Sequence, residues 1–493
     1  MISMSEVLVN SLRSYAKTIP SKVALIDEKS KVCYSDLYNR IANGANYLQA
    51  LGLKKNDTIV LSASKDLEFI YVYFAAHLVG VKNVVIEPNM TLERVEYVVN
   101  ITKPKYIFGY DYKIHKDICI EWAKIGSKST VYADEYTPDE NDVADIMFTT
   151  GTTGNPKGVC LTHKNIFTSA NNINSFIGNG KDDVEVLGLP LSHSFGLGRV
   201  RCTLLQGGTL VMLKSFANVK LFFDILEKYR CTLFGMVPSV WQYIKKFSGT
   251  KIGKYSNQIK YIEIGSAAMP VSDKKMLLGL FPKTRICMHY GLTEASRSFF
   301  MEFHENKDNL STIGKPAAEN IAVKILDENG NEVPNGEFGE ICISGDTVMK
   351  SYLLEEDNRN SFFDCYFRTG DCGYKDDDGL YYLSGRKKEL INVGGNKVSP
   401  SLIEEAIVAL GVEDCACIPI PDPENVLGEV PKAFMVRGNS SLEIEDIGKR
   451  LYKQLEPFQI PREYEWIDKI PRTASGKIQR LLLAQKNYGA SND

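Results

Sequence analysis

No two of the eleven cysteines are spaced C-x-x-C, and the six histidines form no cluster beside them. A disulfide framework and a zinc site are both disfavoured by that pattern. Long apolar runs are missing too. The stretch "FIYVYFAAHLVGV" falls far short of the roughly 20 residues a membrane span needs, and it contains His77. The opening "MISMSEVLVNSLRSY" has Glu6 early and no long apolar core, so it does not read as a signal peptide. Nor is there an excess of charge. A net −3 gives no electrostatic reason to expect nucleic acid or an anionic membrane as the main partner. No repeat or low-complexity tract stands out, and the cytoplasm is the simplest compartment.

What is present reads as an ordinary globular protein, with 44% apolar and 24% charged residues. Its 493 residues exceed one compact core and suggest two to four domains. Between 200 and 295 strand and helix patterns alternate: "TLVML", "VKLFFDILEKYR", "CTLFGMV", "SVWQYIKKF", "KYIEIGS", "SDKKMLLGLF", "TRICMHYG". In the first helix Leu221, Phe222, Ile225 and Leu226 share a face. Such alternation implies a parallel, helix-covered sheet, whose ligands bind at the carboxyl ends of the strands. Those ends are "GSAAMP" (265–270) and "YGLTEAS" (290–296). After about 318, "NIAVKILDENGNEVPNGEFGEICISG" reads as strands joined by Asn/Gly turns, a small antiparallel sheet or barrel. From about 389 the pattern changes again, to a helix "SPSLIEEAIVAL", strands "CACIPI" and "KAFMVRG", and a helix "IEDIGKRLYKQL", a small α+β unit.

The segment "MFTTGTTGNPKGV" (147–159) holds four threonines, three glycines, a proline and a lysine behind a short buried strand, Val143 to Phe148. Glycines let backbone N–H groups converge on an anion, threonines add hydroxyl donors, and Lys157 adds a point charge. That inventory suits a polyphosphate; taken alone, it suits a polar surface hairpin as well. A Walker loop does not fit, because Lys157 precedes Gly158. The later "SGKI" fails as well, since Pro471 stands where the first glycine belongs. "GNGKDD" and "GLGRVR" both lack the third glycine of a dinucleotide fingerprint.

Further motifs follow in order: "LPLSHSFGL" (189–197), "YGLTE" (290–294), "GEICISGDTVMKSYL" (339–353), "YFRTGD" (366–371), "GRKKELINVGGNKVSP" (385–400), "GEVPKAF" (428–434) and "PRTASGKIQR" (471–480). With the threonine-rich loop they make eight motifs in register, and the chain resembles the adenylate-forming superfamily of acyl-CoA synthetases, aryl-CoA ligases, luciferases and nonribosomal adenylation domains. The resemblance implies an α/β fold with a large N-terminal domain (1–385) of helix-covered, mostly parallel sheets and a small β-barrel from about 318. A hinge at 386–388 and a small mobile α+β domain (389–493) would follow. The implied chemistry is a carboxylate attacking the α-phosphate of ATP to give an acyl-adenylate and pyrophosphate, followed by attack of a thiol.

On this resemblance Thr149, Thr150, Gly151, Thr152, Thr153, Gly154 and Lys157 hold the triphosphate. Thr150 stands where serine is common and keeps the hydroxyl. Tyr290 and the backbone of Ser266, Ala267 and Ala268 line the adenine slot. Thr293 contacts the α-phosphate, and Glu294 holds Mg2+, a hard cation suited to carboxylate oxygen. Asp371 grips the ribose hydroxyls, and Arg386 contacts ribose and phosphate. Lys477 supplies a mobile cation against charge developing at the α-phosphate. Lys388 takes the hinge position, and Gly394 and Gly395 approach the pantetheine thiol in a second orientation of the small domain.

His193 matches a residue between the acyl pocket and the thiol tunnel, where it either gates that junction or is simply a satisfied buried histidine. The neighbouring sequence lacks the aspartate with which amino-acid-activating members hold the substrate amine. Arg199 and Arg201 are unexpected where relatives are mostly apolar. They either pair with internal acids or recognise a second anionic group on the substrate, with an apolar or aryl acid as the default. Coenzyme A is the expected acceptor, and the phosphopantetheine of an acyl carrier protein is the alternative. A degenerate adenylate-binding protein would show damage at the phosphate loop, Glu294 or Lys477, and all three are intact.

Overall fold

The computed structural model describes residues 7–109, 115, 117–122, 138–149, 156–472 and 476–489. The expected parallel sheet is present. Strands Val23–Ile26, Thr209–Met212, Val184–Leu187, Leu233–Met236, Tyr261–Ile264 and Arg285–Tyr290 lie side by side in that spatial order, all parallel. Antiparallel strands close both edges: Lys31–Cys33 at one, Phe299–Glu302 and Lys315–Pro316 at the other. The helices fall between strands as the alternation predicts, at Val219–Lys228, Pro238–Ser248 and Val271–Leu280. In the first of these Val219 is buried with Phe222, Ile225 and Leu226, while Leu221 is only half-buried. The inward stripe is therefore centred one position away from the predicted face, because 219, 222 and 226 repeat every three to four residues.

A second sheet has seven strands. Thr58–Ser62, Lys82–Ile86, Tyr106–Phe108, Cys119–Ile120 and Val143–Phe148 are parallel, and Gly158–Thr162 and Ser351–Tyr352 add antiparallel strands at one side. Val143–Phe148 and Gly158–Thr162 form a hairpin, so the threonine-rich segment is its connection. Two helices, Leu67–Val79 and Ser194–Leu205, are buried on nearly every side, as befits elements held inside the domain. Ser194–Leu205 reaches both sheets: Arg199 bonds Glu185 and Glu263 in one, and Arg201 bonds Asp145 in the other. Residues two apart on a helix point roughly 200° apart, which aims these arginines at opposite sides.

Ile321–Leu326, Gly339–Gly345, Phe362–Phe363, Tyr366–Lys375 and Tyr381–Arg386 form a five-stranded antiparallel sheet where the Asn/Gly turns predict one. Beyond it, residues between Ile391 and Leu483 have a core of their own. There the strands Asp414–Pro421, Glu429–Val436 and Glu463–Trp466 pack with the helices Pro400–Ala409, Ile444–Leu451 and Arg480–Gly489. The helix expected over "IEDIGKRLYKQL" stops at Leu451, and Tyr452 to Gln454 continue as a turn.

Candidate active site

Tyr261–Ile264 and Arg285–Tyr290 are neighbouring parallel strands that end on the same side of the sheet. After the first, Ser266 has φ +72°, the left-handed region that a residue with a side chain seldom occupies. Gly265 has to be glycine, because a Cβ there would run into the His289 ring. At the end of the second, the Tyr290 hydroxyl donates to Asp371 Oδ2 at 2.6 Å. Asp371 faces Arg386 across paired strands, and Arg386 Nε lies 2.7 Å from Asp371 Oδ1. The guanidinium also donates to the Thr369 carbonyl at 3.2 Å.

Burial pushes the Asp371 carboxyl above its ordinary pKa, although Arg386, the Tyr290 hydrogen bond and Lys477 all favour the charged form. Each carboxylate oxygen has a partner, Tyr290 on Oδ2 and Arg386 on Oδ1, and its further lone pairs can accept from hydroxyls such as those of a ribose. Asp371→Asn keeps the shape but removes the charge. Hydrogen bonds to charged groups are worth about 1.5–3 kcal/mol, so KM for ATP is expected to rise about tenfold or more, as measured by steady-state pyrophosphate release.

Glu294 is buried, and its Oε1 accepts from the Tyr352 hydroxyl at 2.7 Å. Its carbonyl accepts from Met349 N at 2.7 Å, which ties the segment holding Thr293 and Glu294 to the "GDTVMKSYL" stretch. Tyr352 also connects to the lysine of the threonine-rich segment: Lys157 Nζ stands 4.8 Å from its ring centroid and 3.1 Å from Asp357 Oδ1. Thr149 N donates to the Lys157 carbonyl at 3.0 Å and pins the two ends of the loop together. Thr150, Gly151, Thr152, Thr153 and Gly154 lie outside the described residues. Among the described residues no hydrogen bond reaches the second oxygen of Glu294. One carboxylate is a donor set that suits Mg2+ when phosphate oxygens and water fill its remaining positions.

Lys477 arrives from the C-terminal unit. A Cβ on its neighbour Gly476 would come within 3.7 Å of Ser239 Oγ, so this loop sits against the helix Pro238–Ser248. Desolvation first and Arg386 second hold the Lys477 ammonium below its ordinary pKa, while Asp371, Glu294 and Glu389 act in the other direction. Lys477, Arg386, Asp371, Glu294 and Tyr290 thus share one electrostatic neighbourhood.

Beside this group lies a cavity of about 670 Å3 lined by His193, Phe195, Phe216, Val237, Tyr243 and Ser266, among others. His193 immediately precedes the helix Ser194–Leu205, and its Nε2 lies 3.2 Å from Glu87 Oε1. Lys65 also lines the cavity, and burial lowers its pKa to about 8. Its ammonium donates to the carbonyls of Gly188 (2.5 Å), Leu213 (3.1 Å) and Lys214 (2.8 Å), which leaves no donor for a ligand. Arg199 and Arg201 belong to the interior. Arg199 makes a two-pronged pair with Glu185 (2.7 Å twice) and reaches Glu263 at 3.1 Å. Arg201 pairs with Asp145 and donates to the Tyr73 hydroxyl at 3.0 Å. Of the two roles open to these arginines, pairing with internal acids is the one found.

Lys388 is exposed in the turn after the strand Tyr381–Arg386. Gly394 (φ +57°) and Gly395 (φ +93°) form the two-residue turn of the hairpin Ile391–Val393/Asn396–Val398, at the exposed edge of the small unit. A turn with two positive φ values is where paired glycines are expected. Tyr352, Glu87, Lys65 and Arg297 were not singled out by the sequence reading. Tyr352 lies within a quoted motif, but nothing in its spacing pairs it with Glu294, 58 residues away.

The sequence profile of the AMP-binding enzyme family matches residues 12–353, and that of its C-terminal domain matches 402–477. The 2-succinylbenzoate–CoA ligase of Bacillus licheniformis is 28% identical over 483 residues, covering 96% of this chain and 98% of the relative. A 4-coumarate–CoA ligase of Nicotiana tabacum is 30% identical over 505 residues, covering 94% and 92%. Among solved structures, the o-succinylbenzoate CoA synthetase of Bacillus subtilis with its acyl-adenylate intermediate superposes with a TM-score of 0.86 at 25% identity, over 96% of this chain and 97% of that one. ATP-bound MatB of Rhodopseudomonas palustris shares the fold with a TM-score of 0.88 at 24% identity, over 98% and 99%. No helix among the described residues is long and apolar enough to cross a membrane. The chain belongs to the AMP-binding enzyme family, the adenylate-forming acid–thiol ligases.

Proposed function

We propose that this enzyme activates an aryl or otherwise apolar monocarboxylic acid with ATP and transfers the acyl group to the thiol of coenzyme A, in the cytoplasm. The observation that carries the reading is the convergence of Glu294, Asp371, Arg386 and Lys477, from both parts of the chain, next to a cavity whose lining includes Phe195, Phe216, Val237 and Tyr243. Arg199, Arg201 and Lys65 spend their donors on the protein, which favours an acid without a second anionic group. Eleven free thiols suit a reducing compartment.

In the first step an oxygen of the acid attacks the α-phosphorus of ATP, and the bond to pyrophosphate breaks. Such a displacement needs alignment and charge neutralisation more than covalent help. Tyr290 and the Ser266–Ala268 backbone seat the adenine, Asp371 holds the ribose, and Arg386 lies between ribose and phosphate. Thr149, Lys157 and the threonines and glycines between them take the triphosphate, Thr293 meets the α-phosphate, and Lys477 offsets the charge that builds there. Mg2+, when bound at Glu294, neutralises phosphate oxygens. In the second step the thiol sulfur attacks the acyl carbon, the carbon–oxygen bond to AMP breaks, and the thioester forms.

For that step the small domain from 389 turns about Lys388 and brings Gly394 and Gly395 to the pantetheine arm beside His193. A carrier protein presents the same arm, so pyrophosphate release across a panel of acids, repeated with coenzyme A and with a purified acyl carrier protein, tests acid and acceptor together. Gly395→Leu is expected to stop thioester formation while the adenylate still accumulates. Nothing stands within 4 Å of a Cβ at Gly395 in the present orientation, although its φ of +93° carries a local strain. Equal loss of both half-reactions would count against this placement of the thiol arm.

A further inference from the structure

Arg297 follows Glu294 by three residues and has φ +49°, a conformation a long side chain adopts only when its surroundings impose it. It is 3% exposed. Its guanidinium Nε donates to Glu263 Oε1 at 3.0 Å, Nη1 to the Ser194 carbonyl at 3.0 Å and to Ser296 Oγ at 3.3 Å, and Nη2 to the Phe195 carbonyl at 2.9 Å. The same group lies over the Phe195 ring, 4.9 Å from its centroid. Ser194 and Phe195 open the helix that follows His193. A cation is electrostatically misplaced at the first turn of a helix, whose N–H groups already carry partial positive charge. Glu263 compensates, and Gly198 makes the room, since a Cβ there would run into the guanidinium. A glycine inside a helix is itself unfavourable, so the space it leaves calls for an explanation.

One side chain therefore ties together the segment bearing Thr293 and Glu294, the helix start bearing His193 and the cavity-lining Phe195, and the strand that delivers Ser266. We infer that Arg297, given room by Gly198, is a positioning residue that sets the acid cavity against the phosphate side of the site. The inference rests on the acid-activation reading above. It deepens that reading by naming what aligns the acid's carboxylate with the α-phosphate. A misplacement of 1 Å at a distance from the chemistry costs about 10²-fold in rate.

Gly198→Ala tests this while keeping the helix intrinsically favourable, because alanine is the better helix former and its methyl would displace the Arg297 guanidinium. Arg297→Lys keeps the charge near Glu263 and loses the fork. Both variants are expected to release pyrophosphate about 10- to 100-fold more slowly at saturating ATP and acid. KM values and thioester formation from supplied acyl-adenylate should stay within about threefold. Gly198→Ala should melt somewhat below wild type, because the displaced guanidinium takes its hydrogen bonds away from Glu263 and the Ser194 and Phe195 carbonyls, and the double variant should be no slower than the slower single one. Full activity of Gly198→Ala would overturn the inference, as would equal losses in both half-reactions accompanied by a lower melting temperature. A wild-type chain that releases no pyrophosphate with any acid would instead overturn the acid-activation reading, and this inference with it.

Discussion

Lys477→Ala is expected to slow pyrophosphate release by about 10²–10³-fold, the usual effect of losing one preorganised charge from a developing anion. Its ammonium is held at a lowered pKa in a site with Arg386 on one hand and Asp371 and Glu294 on the other. A lysine there gains most when negative charge grows at the α-phosphate, because Arg386 opposes it in the ground state. On the proposed roles, ATP binding rests on Tyr290, Asp371, Arg386 and the threonine-rich loop, and should persist in the variant. Thioester formation from supplied acyl-adenylate should also persist, since the proposed turn of the small domain carries Lys477 away from the α-phosphate for that step. Stopped-flow detection of pyrophosphate, run beside a thiol-consumption assay, separates the two half-reactions. Near-normal pyrophosphate release would remove Lys477 from the chemistry.

Arg199→Met should unfold the protein at a markedly lower temperature while leaving the ranking of acid substrates unchanged. Arg199 is 1% exposed and balances Glu185 and Glu263. Removing one partner of a buried ion pair typically costs about 3–5 kcal/mol, because the remaining charge has no solvent to turn to. Glu263 would keep Arg297 at 3.0 Å and His289 at 2.7 Å, whereas among the described residues Glu185 would keep only the Thr203 hydroxyl, so most of the cost falls on Glu185. Arg201→Met should lose less, since Asp145 retains His77 at 3.1 Å and the Tyr73 hydroxyl at 2.8 Å. Thermal melting and a competition between a monoacid and the diacid of equal length, run on both variants, check this. A reversed preference between the two acids would make an arginine part of the substrate site.

The alternation from 200 to 295 was legible because short, mostly apolar runs alternate with longer segments of mixed polarity. The elements found there lie within a residue or two of the predicted segments. Motif residues at strand ends were legible for the same reason: Tyr290 and Ser266 follow directly from where their strands stop. Partnerships across the chain were not. Tyr352 with Glu294, Glu87 with His193 and Arg297 with the Ser194 and Phe195 carbonyls join residues 58, 106 and about 100 positions apart, and no local pattern encodes such pairs. The two arginines of "GLGRVRC" show the limit from the other side. Their charge is visible in the sequence, but whether it faces a ligand or an internal acid depends on Glu185, Glu263 and Asp145, each delivered by a different strand.

The most direct test of the account is a single-turnover reaction of the purified chain with ATP, Mg2+ and a panel of aryl and aliphatic acids, first without and then with coenzyme A. In the absence of thiol, pyrophosphate and an enzyme-bound acyl-adenylate are expected in near-stoichiometric amount from at least one apolar monoacid. On addition of coenzyme A, AMP and thioester should follow in equal amounts. Release of ADP and inorganic phosphate, or an adenylate that forms and never passes to any thiol, would contradict it.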